Sequence, residues 1–132
     1  MRTFPVELLQ PRPARIHGQA GDFSIEIPMA PFLLDGEEVE TSIRLDGVNL
    51  PSLELDLLQN RAFRFPSNPE AGYIDGSIYL GAAHHPVDVS LISFGTGTSR
   101  GIPMVVQAQL VLEHEGLADF ANTDLTLHTQ ME

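Results

Sequence analysis

DFSIEIPM, residues 22 to 29, is the stretch whose reading decides the fold. Phe23, Ile25, Ile27 and Met29 alternate with Asp22, Ser24, Glu26 and Pro28, a period of two that sends apolar side chains to one face of an extended strand and polar ones to the other. The same alternation returns in Val39, Ile43 and Leu45 against Glu38, Glu40, Ser42 and Arg44, and a third run follows in Leu53, Leu55 and Leu57 around Glu54 and Asp56. Met104, Val106, Ala108, Leu110 and Leu112 form the longest run of all. Strands with one apolar and one polar face suit an antiparallel sheet that is wet on one side.

Asp35-Gly36 and Asp46-Gly47 each separate apolar runs, and Asp-Gly supplies the positive φ angles of a tight hairpin turn. Residues 22 to 58 therefore read as a meander. FPSNPEAG, residues 65 to 72, is the clearest loop, because two prolines cannot continue a ladder, and it is expected to divide two sheets. Strands are expected over 73 to 80, 87 to 94, 102 to 113 and 123 to 128, with Asp75-Gly76 a bulge or another turn. Residues 116 to 121 suit one short helical turn that closes the core with Leu117 and Phe120. The expected fold is an all-β domain spanning residues 1 to 132, an antiparallel β-sandwich or short barrel of about eight strands, with the sandwich favoured. Its core is expected to hold Ile25, Ile27, Ile43, Leu55, Val106, Leu110 and Leu112.

Composition bounds the chemistry. The chain has 18 acidic and 7 basic residues in 132 and a net charge of -11, which repels nucleic-acid phosphates and anionic membranes. Residues 65 to 132 hold one arginine against eight acids, so seven of those charges lie there. Every basic residue is arginine, which excludes Schiff-base lysines, pyridoxal-phosphate anchors and phosphate-loop lysines. The absence of cysteine excludes thiol nucleophiles, iron-sulfur clusters and thiolate zinc sites. No G-x-S-x-G, H-E-x-x-H or G-x-G-x-x-G string occurs, tryptophan is absent, and no cofactor is signalled. No apolar run suits a membrane span or a secretory signal, and a cytoplasmic protein is expected.

Two places carry candidate chemistry. A hairpin of strands 87 to 94 and 102 to 113 brings His84 and His85 beside Glu113, His114 and Glu115, which contain the donors for a zinc, iron or manganese site. Adjacent histidines in an extended chain point to opposite faces, however, and loop histidines at strand ends are the commoner case. The connection FGTGTSRG, residues 94 to 101, combines three glycines with Thr96, Thr98, Ser99 and Arg100, a composition able to cradle an anion. It leads into a strand instead of the helix that a phosphate loop opens, so a plain hairpin connection is again the simpler reading.

Two further strings have simple readings. The alternation of Arg61, Phe63, Arg64 and Phe65 is that of a strand with one wet face, and PRPAR, residues 11 to 15, suits an arm laid over the sheet.

By elimination the chain is expected to be a non-enzymatic intracellular binding protein that offers acids such as Asp88, Glu113 and Glu115 to a basic protein partner, in the manner of an inhibitor or immunity-type protein. The first alternative is a small-molecule-binding or metal-dependent enzyme with its site at His84, His85, Glu113 and His114. The second is a structural subunit that pairs through a strand edge.

Overall fold

The computed structural model describes residues 2–113 and 120–132. Its strands are β1 (Arg15–Gln19), β2 (Asp22–Pro28), β3 (Phe32–Leu34), β4 (Glu37–Val39), β5 (Ser42–Val48), β6 (Ala62–Arg64), β7 (Asp75–Leu80), β8 (Ala83–Phe94), β9 (Ile102–Leu110) and β10 (Thr123–Met131). One curled antiparallel sheet in the order β1-β2-β5-β7-β8-β9-β10, with β6 added against β8, forms a half-barrel. β3 and β4 make a separate two-stranded hairpin. The all-β expectation holds, and the single curled sheet is the barrel-like form of it. No helix among the described residues is long and apolar enough to cross a membrane.

The period-two argument accounts for most of the core. Ile25, Ile27, Ile43, Val106, Leu110 and Leu112 are all buried, and they join Phe23, Leu45, Ile78, Val87 and Ile92 in one cluster on the inner face. Two bulges let the alternation change phase without exposing that cluster. In β5 the pairing to β2 slips between Phe23 and Ile25, so the buried positions pass from Ile43 and Leu45 to Val48. In β8 it slips between Val89 and Leu91, so burial passes from Val87 and Val89 to Ile92 and Phe94.

The first of these bulges corrects the reading of Asp46-Gly47. Gly47 has φ of +68° and supplies the extra residue of the bulge inside β5, not a hairpin turn. Asp35-Gly36, with φ of 50° and 83°, is the tight turn expected of it and joins β3 to β4. Asp75-Gly76 is neither turn nor bulge. Gly76 sits in register between Leu45 and Val87, where a Cβ would collide with the Val87 carbonyl oxygen.

The meander also fails, because the β3–β4 hairpin leaves the sheet and β5 returns to lie directly against β2. Residues 53 to 57 form no strand. β5 is already paired on both sides, by β2 and β7, so the segment that follows cannot fold back onto it as a hairpin. It coils instead into the one-turn helix α1 (Leu55–Leu58), closed by the Gln59 N–H donating to the Leu55 carbonyl at 2.9 Å. Leu55 is consequently 47% exposed and only Leu58 reaches the core. The loop at 65 to 72 divides no sheets. It connects β6 and β7, which pair with opposite halves of the same side of β8. Most of the expected helical turn at 116 to 121 lies outside the described residues, but Phe120 is buried and packs edge-on against Phe4 at 5.5 Å.

The N-terminal arm stitches the curl. Arg12 N–H donates to the Pro28 carbonyl at the end of β2, and Ala14 N–H donates to the Gln130 carbonyl near the end of β10, both at 2.7 Å. Residues 12 and 14 thus link β2 to β10 through backbone hydrogen bonds, where the sequence suggested only an arm laid over the sheet.

Candidate functional site

His84 and His85 lie in β8 opposite Tyr79 and Ile78 of β7. Because they are neighbours in a strand, their side chains diverge: His84 is exposed and meets the Tyr79 ring edge-on at 5.0 Å, while His85 is fully buried in the core. Glu113 is exposed and already engaged. Its Oε2 accepts the Asn122 N–H at 3.0 Å, and Asn122 Oδ1 in return accepts the N–H groups of Leu112 at 2.9 Å and Glu113 at 3.2 Å. This reciprocal clamp holds together the two ends of the segment that joins β9 to β10. His114 and Glu115 lie outside the described residues. Among the described residues, no group of three or more histidine, aspartate or glutamate side chains is placed to hold a metal ion.

The connection at 94 to 101 is a tightly self-bonded turn. Its N–H groups at Gly95, Gly97, Thr98, Arg100 and Gly101 donate respectively to the Pro103 carbonyl, Gln59 Oε1, the Gly101 carbonyl, Thr98 Oγ1 and the Thr98 carbonyl. Thr96 Oγ1 lies 2.9 Å from Asn60 Oδ1. Five backbone donors that an anion could use are therefore already engaged, while the Ser99 and Arg100 side chains are exposed.

The polar face of the sheet brings together residues that lie far apart in the chain. The register sets Asp88 of β8 opposite Gln109 of β9, and Gln109 opposite Asp124 of β10. Two strand spacings put the aspartates about 10 Å apart, with the Gln109 amide between them. With Ser90, Gln107 and Thr126 they line a groove of about 550 Å³ that contains no cationic side chain in its wall. One Asp88 oxygen accepts the Asn68 N–H at 3.1 Å. Asp124 is exposed, and its side chain makes neither ion pair nor hydrogen bond among the described residues. A row of carboxylate, amide and carboxylate at this spacing can accept hydrogen bonds from a guanidinium or ammonium group.

The opposite end of the same face has mixed sign. Arg15, Glu26 and Arg44 stand side by side on β1, β2 and β5, with Arg15 3.8 Å from Glu26 and Arg44 3.2 Å from Asp46. Its charges are thus paired locally, whereas those of the groove are not. β1 remains a terminal strand of the sheet, which is the edge that the strand-pairing alternative would require.

Asp88 was identifiable from charge alone, but Asp124 and Gln109 were not. Their signal was the alternation of β9 and β10, which places residues 107, 109, 124 and 126 on the wet face once the two strands are paired. No protein-family model, curated protein or solved structure matches this chain.

Proposed function

We propose that this chain is a non-enzymatic intracellular binding protein that presents an acidic sheet face to a basic protein partner, as an inhibitor or immunity-type protein of the cytoplasm would. The observation that carries the reading is the unneutralised row Asp88–Gln109–Asp124 in a groove without cations. An arginine or lysine from the partner would lie over Gln109, within reach of both aspartates, where each carboxylate offers charge-assisted acceptors and Gln109 a neutral one. The net charge of -11 extends the attraction beyond contact, to about a Debye length of 10 Å at 0.1 M salt.

The metal-dependent alternative receives no support from the divergence of His84 and His85 or from the engagement of Glu113 by Asn122. The test is affinity capture with the native chain and, in parallel, with the Asp88→Lys, Asp124→Lys double variant. The reading expects a protein of net positive charge retained by the first and depleted on the second. An acidic partner, or one retained equally by both, contradicts it.

A further inference from the structure

The chain holds three Asp-Gly pairs, at residues 35–36, 46–47 and 75–76, and no Asn-Gly pair. An Asp-Gly pair can close a five-membered ring on itself. The glycine amide nitrogen attacks the aspartate side-chain carboxyl carbon, a C–N bond forms, and the carboxyl hydroxyl leaves with the amide proton as one water. Water then adds to either carbonyl of the succinimide. Breaking the new C–N bond restores aspartate, whereas breaking the original peptide C–N bond leaves isoaspartate, whose main chain runs through the side-chain methylene. Glycine favours the closure because it has no Cβ to shield its nitrogen and its backbone turns freely.

The fold puts the three pairs in unequal positions. Asp46 and Asp75 face each other in the β5–β7 ladder, so closure at either requires that part of the main sheet to open. The Asp46 carboxylate accepts the Ser24 hydroxyl at 2.7 Å and Arg44 Nε at 3.2 Å, and the buried Gly76 donates its N–H to the Ile74 carbonyl at 3.1 Å. Asp35 and Gly36 instead form the exposed turn of the separate β3–β4 hairpin, which has only three residue pairs. Nothing lies within 4 Å of a Cβ built on Gly36, and its N–H makes no hydrogen bond among the described residues. One contact restrains the pair. Arg2 donates to both Asp35 oxygens, at 3.1 and 2.9 Å, while its guanidinium lies 4.3 Å over the Phe120 ring. The fork pins the carboxyl and keeps it ionised, the form without the hydroxyl that must leave as water.

We propose that Asp35 is a site of spontaneous conversion to isoaspartate in the folded protein, with Arg2 as the residue that slows it. The conversion adds a methylene to the main chain of a two-residue turn and replaces the side-chain carboxylate by a main-chain one, so the fork on Arg2 is lost. It thereby unties the N-terminal arm from the β3–β4 hairpin. The test incubates the full-length chain at neutral pH and maps it over time with an endoprotease that cleaves before aspartate but not before isoaspartate. The same chain in concentrated urea is the reference, and Arg2→Gln is the variant.

In urea all three pairs should convert at comparable rates. In the folded chain Asp35 should convert, with Asp46 and Asp75 slower by about tenfold or more. Arg2→Gln should speed Asp35 by about two- to fivefold, as loss of one exposed ion pair implies, and leave the other two unchanged. High salt applied to the native chain screens the same pair and should act in the same direction, so the role of Arg2 is read even if the variant folds poorly. Conversion of Asp46 or Asp75 as fast as Asp35 in the folded chain would overturn the proposal. So would the absence of isoaspartate at residue 35 over a period in which the urea sample converts. An Asp35 rate unmoved by both Arg2→Gln and salt would overturn the role given to Arg2.

Discussion

Gly76→Ala should be among the most damaging single-methyl changes in this protein. β7 is paired on both sides, and Gly76 lies in register with Leu45 on one side and Val87 on the other. The added Cβ would strike the Val87 carbonyl oxygen and press on Leu45 Cδ2 at 3.1 Å. The side chain of Leu45 can yield a few tenths of an ångström, but the carbonyl cannot move without pulling β8 out of its ladder. Overpacking of this kind costs about 1 to 3 kcal/mol, and the backbone obstacle puts the expectation in the upper part of that range. With a urea m-value of about 1 to 3 kcal/mol/M, the unfolding midpoint should fall by on the order of 1 M with little change in slope. Gly81→Ala is the control: nothing lies within 4 Å of its added Cβ, so its cost of about 1 kcal/mol comes only from a φ of +66°. Equilibrium urea denaturation followed by far-UV circular dichroism reads both. A Gly76→Ala midpoint indistinguishable from that of the native chain would refute the reasoning, and so would one less affected than Gly81→Ala.

The correction at residues 53 to 57 makes Leu58→Ala cost about 2 to 5 kcal/mol and Leu55→Ala less than about 1 kcal/mol, an order that a buried strand over that segment would reverse. Asn122→Ala removes the acceptor shared by the Leu112 and Glu113 N–H groups and should destabilise the chain by about 1 to 3 kcal/mol. Hydrogen exchange at Leu112 should then accelerate; unchanged exchange would dismiss the clamp. The Asp35 carboxyl, hydrogen-bonded by Arg2 at 2.9 Å, should titrate below its ordinary value of 3.8. Its contribution to stability is present above that ordinary value and is lost as pH falls through the lowered one. An NMR titration in which Arg2→Gln leaves the Asp35 midpoint unmoved would contradict this.

Three Asp-Gly pairs show how far sequence could carry the fold. Asp35-Gly36 turns a hairpin, Asp46-Gly47 makes a bulge, and Asp75-Gly76 runs straight through a central strand. The dipeptide permits a positive φ but does not say what lies beside it, and the neighbour decides the outcome. The same gap explains Leu53 to Leu57, whose period is right for a strand but which follows β5, a strand already paired on both sides. Where alternation and edge agree, as in β2 and β9, the buried set was legible residue by residue.

The candidate sites divide in the same way. Local geometry alone foretold that His84 and His85 would face apart. The groove needed β8, β9 and β10 in register, and β10 follows residues 114 to 119, so pattern alone could not align Asp124 with Gln109. The bulge at Ser90 added a change of phase that alternation cannot announce in advance.

The acidic face as a recognition surface is tested most directly by stopped-flow association with the captured partner, measured from low salt to about 0.5 M salt for the native chain and for the charge reversals Asp88→Lys and Asp124→Lys. Steered association should slow markedly with salt and by modest factors with each reversal, while dissociation stays nearly unchanged. An association rate that responds neither to salt nor to the reversals would contradict the account.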